Sequence, residues 1–218
     1  MSINKTYAVL GLGRYGYAVA TELVKNGIEV LAVDQREAIV NAAAVELPLC
    51  KCADVTDPDV VQALGLANVD VAIVAMANSL EASVMAITLC KEAGVKTVIA
   101  KCGSEMHKKI FLRVGADQVV FPEYESGTRL AKNLLSAGFA DLIELSDDVS
   151  MVELAIPPEW IGKSLVDLHL RKKHGINAVA LARNGRVQVE IDPFLPLLAD
   201  DKLIVIANTA KLAKFHKK

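Results

Sequence analysis

Gly11, Gly13, Gly16 and Asp34 are the residues whose type and spacing carry the most chemistry in this chain. The glycines punctuate Tyr7-Ala-Val-Leu-Gly-Leu-Gly-Arg-Tyr-Gly16, and the acid closes the apolar run Val30-Leu-Ala-Val33. A short strand, a glycine turn and a helix opening near Arg14 leave backbone N–H groups and a positive dipole end facing one point, which suits a pyrophosphate. Gly11 permits the sharp turn. Gly13 lets the backbone approach the phosphates without an intervening Cβ, and Gly16 lets the helix pack close to the strand. A carboxylate ending the next strand can accept hydrogen bonds from both ribose hydroxyls. This set reads an adenosine diphosphate moiety, which NAD, ADP and ATP share; nothing in it singles out nicotinamide. Asp34 disfavours the 2′-phosphate of NADP, a preference that Arg36, two residues on past Gln35, softens. Arg14, next to Tyr15 inside the turn, can reach an outer phosphate as a bidentate donor.

Other reactive side chains form no comparable set. Hydride transfer needs a proton donor or acceptor aimed at a nicotinamide. His107 lies in the polar start of a helix, His169 and His174 fall in the second half of the chain, and His216 is in the tail. None is expected at a strand's carboxyl end, so a small NAD-dependent dehydrogenase is the alternative reading and a non-enzyme the preferred one. Cys50 and Cys52 share one face of a strand, but no second ligand pair follows at zinc spacing. With Cys90 and Cys102 they are expected as buried thiols in a reducing compartment.

The elements that must position the glycine turn alternate from Thr6 to about Phe121. Strands are expected at Tyr7–Leu10, Glu29–Val33, Leu47–Lys51, Val69–Ala75, Thr97–Ala100 and Gln118–Phe121. The helical segments between them stop at Asn26-Gly27, Gly65, Gly94 and Gly115. Six strands with alternating helices predict an α/β fold, a Rossmann-like doubly wound parallel sheet over residues 1–125. Its ligand crevice lies beyond the carboxyl ends of the strands, where Asp34, Ala53-Asp54, Ala75 to Ser79, Lys101 and Glu123 fall. A crossover helix over Ser126 to Ser136, with Leu130, Leu134 and Leu135 as its stripe, and a linker fill 126–146. Residues 147–218 then form a smaller α+β domain with a strand at Val149–Ile156 and a short helix near Leu165–Leu170. Asn184-Gly185 joins Val179–Ala182 to Val187–Ile191 as a two-residue hairpin, and Leu203–Ala207 is the last strand.

With 24 basic and 26 acidic residues the net charge is −2, which leaves no electrostatic footprint for nucleic acid. The basic C-terminal run from Lys211 reads as a last helical turn and tail. The chain is 53% hydrophobic, yet no apolar run approaches the length of a membrane span. The surplus points to burial between subunits, and the lack of a signal segment to the cytoplasm.

Gly11-Leu-Gly-Arg-Tyr-Gly16, Leu31-Ala-Val-Asp34, Ala53-Asp54, Ala75-Met-Ala-Asn78, Ala100-Lys101, Gly115-Ala-Asp117 and Pro122-Glu123 occur in this order. In this the chain resembles the regulators of potassium conductance, most closely the cytosolic subunits of the Ktr and Trk potassium uptake systems, over nearly its whole length. The resemblance implies a homodimer that assembles into an octameric gating ring beneath a membrane potassium channel subunit. Its shape would change with ATP versus ADP, or with NAD or NADH. It implies that Arg14 contacts terminal phosphates, that Asp34 holds the ribose with Gln35 and Arg36 beside it, and that Lys101 lies near the phosphates. Ala53, Asp54 and Val55, with Ala75, Met76, Ala77 and Asn78, would line the adenine pocket. Glu123 would approach the phosphates across the dimer, bridged by Mg²⁺ or another divalent cation, because a bare carboxylate repels a triphosphate. In the second lobe Ile161, Ile176, Asn177 and Pro193 would contribute to a cyclic di-AMP site or else to the core. Two stretches depart from the family pattern: Asp54-Val-Thr56, and Tyr124-Glu125, where relatives often carry a basic residue.

Overall fold

The computed structural model describes residues 5–76, 79–135, 139–146 and 148–212. The chain divides into two compact units, Met1–Glu125 and Ser126–Lys218.

In the first unit, strands β1 (Tyr7–Leu10), β2 (Val30–Asp34), β3 (Cys50–Cys52), β4 (Val71–Val74), β5 (Thr97–Lys101) and β6 (Gln118–Val120) form one sheet in the order β3-β2-β1-β4-β5-β6. All its pairings are parallel. Helices α1 (Arg14–Lys25), α2 (Glu37–Ala43), α3 (Pro58–Ala63), α4 (Leu80–Glu92) and α5 (Glu105–Arg113) connect or follow the strands, and α6 (Pro122–Leu135) begins in this unit and continues into the second. Successive residues of a strand face opposite sides of a sheet, and here each side has its own core. Ala8, Leu10, Ala72 and Val74 join Leu66, Ile87 and Phe111 on one side; Val9, Val71 and Ile73 join Ala20, Ala43 and Leu47 on the other. Burial on both faces is why these strands are apolar throughout instead of alternating. Strand order reverses between β1 and β4, which opens a crevice at their carboxyl ends.

The opposite rim of that sheet is held by Asp70. Its carboxylate accepts from the Thr6 N–H at 3.0 Å and from Lys96 Nζ at 2.6 Å, tying together the starts of β1, β4 and β5. The Lys96 hydrogen bond, with help from Thr6, holds the Asp70 carboxyl down at about 2.

The second unit contains β7 (Phe139–Glu144), β8 (Val149–Ala155), β9 (Ile176–Arg183), β10 (Arg186–Gln188) and β11 (Lys202–Asn208), in an antiparallel sheet ordered β10-β9-β11-β8-β7. Short helices α7 (Leu165–Leu168), α8 (Leu170–His174) and α9 (Thr209–Leu212) accompany it. Trp160, Leu168, Ile176, Leu181, Leu197, Leu203, Val205 and Leu212 form its core. Asn184 (φ 53°) and Gly185 (φ 74°) make the β9–β10 hairpin turn, whose mirror-image geometry needs positive φ at both positions. Arg183 grips Asp201, itself 2% exposed, with Nε to Oδ1 at 2.7 Å, and also donates to the Pro196 carbonyl.

Three sequence expectations need correction. β7 lies inside 126–146, which was expected to hold only a crossover helix and linker. Its pairing with β8 shifts register between Phe139 and Leu142, and such an irregularity breaks the two-residue period that marks a strand. The helix expected near Leu165–Leu170 is two pieces split at His169 (φ 49°). Leu168 and Leu170 are both buried, and residues two apart on a continuous helix point in nearly opposite directions, so the break lets both enter one core. Finally, β3 begins at Cys50, three residues later than expected, while Leu47 packs in the core ahead of it.

Candidate functional site

The glycine turn follows β1 directly. Gly11 has φ 97° and its N–H donates to the Val33 carbonyl at 2.7 Å. A Cβ at Gly11 would meet Met76 Cγ at 2.7 Å, and one at Gly16 would lie 1.9 Å from the Gly11 carbonyl oxygen. Both positions are therefore glycine because the chain itself leaves no room. Gly13 is different. Its backbone is ordinary extended (φ −65°, ψ −178°), and a Cβ there would meet nothing within 4 Å. No packing inside the protein calls for glycine at 13, whereas a ligand pressed against the backbone does.

Behind Gly13 the N-terminus of α1 receives no side-chain cap and has no acid in its first turn. By contrast α3, α4 and α5 are capped by Asp57, Ser79 and Ser104. The N–H groups opening α1 are thus available to an anion, and the helix dipole favours one there. Arg14 is exposed and makes no hydrogen bond or ion pair among the described residues, which leaves its guanidinium uncommitted beside that terminus.

Asp34 ends β2 and is 6% exposed. Its Oδ2 accepts from the Leu12 N–H at 2.9 Å and its Oδ1 from the Arg36 N–H at 3.0 Å. The Arg36 guanidinium chelates the same carboxylate, Nε to Oδ1 at 3.0 Å and Nη2 to Oδ2 at 3.1 Å. Burial by itself would raise the Asp34 pKa, but the Arg36 side chain and the two N–H groups outweigh it and hold the carboxyl below its usual range. The acid expected to hold a ribose is thus ionised, and it also fastens the glycine turn to β2 through Leu12. Gln35 beside it is exposed, and its carbonyl accepts from the thiol of Cys52, which is exposed and not buried as expected from the sequence; Cys90 and Cys102 are buried.

On the other side of the crevice Lys101 ends β5 and Glu123 opens α6. Lys101 Nζ lies 2.6 Å from Glu123 Oε1 and 5.9 Å from the Tyr15 ring centroid. Lys101 thereby brings the β5 end, the α6 start and the first turn of α1 together. Its hydrogen bond is the main cause holding the Glu123 carboxyl below its ordinary value. The half-buried Tyr15 phenol is pushed up by burial first and then by Glu125 and Glu123, so it stays protonated.

Of the remaining expected residues, Ala75 follows β4 and its N–H donates to the Leu10 carbonyl at 2.8 Å; Met76 packs on Gly11. Ala53 is half-buried and packs on the core. Val55, 4% exposed as a whole residue, belongs to that core, so its side chain does not line a ligand pocket. Asp54 spends Oδ1 on the Thr56 N–H and hydroxyl, at 3.0 and 2.7 Å, closing its own turn. Ala77 and Asn78 lie outside the described residues. In the second unit Ile161, Asn177 and Pro193 are exposed, but Ile176 is fully buried in the core and cannot wall a surface cleft. Sequence reasoning missed two partnerships, Arg36 with Asp34 and Lys101 with Glu123. Opposite charges two residues apart at a strand end were the available signal for the first; the second joins residues far apart in sequence.

Among the described residues no group of three His, Cys, Asp or Glu side chains could hold a metal ion. Glu123 is paired with Lys101, and the described residues of one chain gather no further carboxylate, His or Cys donors beside it for a divalent ion. No helix among the described residues is long and apolar enough to cross a membrane.

Comparison with known proteins places both units. The TrkA-N domain model matches residues 7–122 and the TrkA-C domain model residues 149–218. Ktr system potassium uptake protein C of Bacillus subtilis is 36% identical over 216 residues, 99% of this chain and 98% of that protein. Ktr system potassium uptake protein A of the same organism is 32% identical over 213 residues, covering 98% and 96%. Among solved structures, the GsuK channel bound to NAD superposes with a TM-score of 0.63 at 16% identity, over 97% of this chain and 39% of that one. The TrkA-N domain of the inner membrane protein ybaL from Escherichia coli superposes with a TM-score of 0.54 at 17% identity, over 62% of this chain and 99% of that one. These two likenesses are of fold.

Proposed function

Because this chain belongs to the family of Ktr and Trk potassium uptake proteins, built from TrkA-N and TrkA-C domains, we propose that it is the cytosolic nucleotide sensor of such a system. The observation that carries this reading is the open face of Gly13 in front of an uncapped helix, one strand away from an ionised, buried Asp34. The turn N–H groups bind the diphosphate, Asp34 takes the ribose, and Arg14 reports whether a third phosphate is attached.

A ligand shifts a two-state assembly only by its preference for one state. ATP and ADP share everything but the γ-phosphate, so the uncommitted Arg14 guanidinium is the residue suited to tell them apart. A contact that favours one ring shape about thirty-fold would lie within the usual range of allosteric coupling. NAD or NADH would use the same diphosphate cradle without engaging Arg14 at a terminal phosphate. On this reading the chain does no chemistry, dimerises through its first unit, assembles into an octameric ring and acts on a membrane potassium channel subunit from the cytoplasmic side. The exposed Ile161, Asn177 and Pro193 leave cyclic di-AMP as a candidate second ligand of the second unit.

Titration calorimetry of the purified chain with ATP, ADP and NADH tests the sensor, and co-purification with a membrane channel subunit tests the partner. No affinity for any adenine nucleotide would refute the sensor while leaving the fold untouched.

A further inference from the structure

We propose that the Arg36 guanidinium occupies the ribose position of the site, so that a nucleotide binds only by displacing it from Asp34. This rests on the nucleotide-binding reading above and goes beyond it by naming what stands in the ribose's place.

The carboxylate is fully engaged. Each oxygen accepts one backbone N–H, from Leu12 or from Arg36, and one guanidinium N–H. A carboxylate offers about four acceptor sites in all, so no vacant one remains for a diol. The two backbone bonds are built into the fold, since the Leu12 bond fastens the glycine turn and the Arg36 N–H sits at the start of α2. The guanidinium bonds are the exchangeable pair. The Arg36 side chain is 59% exposed while that of Asp34 is 5% exposed, so the guanidinium covers the carboxylate from the solvent side, the side from which a ligand arrives.

Ribose binding therefore replaces two charge-assisted N–H bonds by two O–H bonds to the same oxygens, and the gain from Asp34 is only the difference between them. The affinity of the site for a diol is set by Arg36 as much as by Asp34. A ligand without ribose hydroxyls leaves Arg36 in place and pays nothing for its release.

Calorimetry with ADP and with 2′,3′-dideoxy-ADP on the wild-type chain and on Arg36→Ala tests this. Arg36→Ala keeps the backbone N–H bond to Asp34. It is expected to bind ADP roughly two- to five-fold more tightly, the scale of releasing an ion pair whose cation is largely exposed to water, and to bind dideoxy-ADP as the wild type does. In the wild type the NMR signal of the Arg36 Nε–H should move on adding ADP and stay put with dideoxy-ADP; this readout does not depend on the variant. Unchanged or weaker ADP binding by Arg36→Ala, with wild-type binding intact, overturns the proposal alone. If neither protein binds ADP, the nucleotide reading falls and the proposal with it.

Discussion

Replacing Gly13 by alanine should leave the protein folded and cripple nucleotide binding, and the two halves of that expectation have separate physical sources. At φ −65°, ψ −178° alanine is unstrained, and its methyl would meet no protein atom within 4 Å. Restricting the unfolded chain stabilises by about 0.4–1 kcal/mol. Alanine is a poorer N-cap than glycine by a comparable amount, so the net change should fall within about 0.5 kcal/mol of zero. The methyl would nevertheless stand where the pyrophosphate meets the backbone. Losing one charge-assisted hydrogen bond costs about 1.5–3 kcal/mol, equivalent to roughly a ten- to hundred-fold weaker Kd. Gly16→Ala is the contrasting variant. Its Cβ would sit 1.9 Å from the Gly11 carbonyl oxygen, a backbone atom, so helix and turn must separate at a cost of about 3 kcal/mol. Far-ultraviolet circular dichroism melts and calorimetry with ADP on both variants decide the matter. A Gly13→Ala chain that binds ADP like the wild type would show that the open face of the turn is solvent and not a phosphate site.

Arg14→Ala should keep ADP affinity within about two-fold and erase any preference for ATP; calorimetry with both nucleotides checks it, and an ATP preference that survives would remove Arg14 as the sensor of the third phosphate. Asp70, with its folded pKa lowered from 3.8 to about 2, adds stability that is fully present above the unfolded value and lost as pH falls from about 4 to about 2. The stability difference between wild type and Asp70→Asn should shrink over that window, as acid-unfolding curves would show; a difference independent of pH would mean the ion pair is not its source. Arg183→Ala strands the buried Asp201 carboxylate and should destabilise the second unit by about 3 kcal/mol, the low end of the range for breaking a buried pair because the guanidinium still reaches water. Urea unfolding followed by Trp160, the chain's single tryptophan and part of that unit's core, reads this out; an unchanged midpoint would contradict it.

The parallel sheet was legible because burial on both faces turns its central strands into short, uninterrupted apolar runs, and because α4 and α5 stop at Gly94 and Gly115 as helix C-termini commonly do. The Asn184-Gly185 hairpin was legible for a similar reason: few residue pairs take the backbone that its turn demands. β7 was hidden since a strand whose register shifts carries no clean alternation, and the break at His169 is imposed by a core that needs both Leu168 and Leu170. Tertiary demand overrode the local pattern in both cases.

The candidate site divides along the same line. Backbone-driven features such as Gly11, Gly16 and the bare start of α1 follow from the motif, because a turn either has room for a Cβ or does not. Charge pairing does not follow from it. The sequence argument for a divalent ion assumed that Glu123 faces the phosphates alone, yet Lys101 already lies 2.6 Å from it. An ion at Glu123 would have to compete with a lysine whose side chain is only 14% exposed and which has little freedom to withdraw. Electrostatic repulsion therefore no longer requires a cation for ATP to bind, and any cation dependence must come from an arrangement in which Lys101 has turned to a phosphate and left the carboxylate free. Calorimetry separates these cases. If Lys101 neutralises Glu123 throughout, ATP binding is unaffected by chelator in the wild type and becomes dependent on Mg²⁺ in Lys101→Met. If wild-type ATP binding already collapses on chelation, the Lys101–Glu123 pair opens when nucleotide arrives, and the crevice rearranges its own charges as it binds.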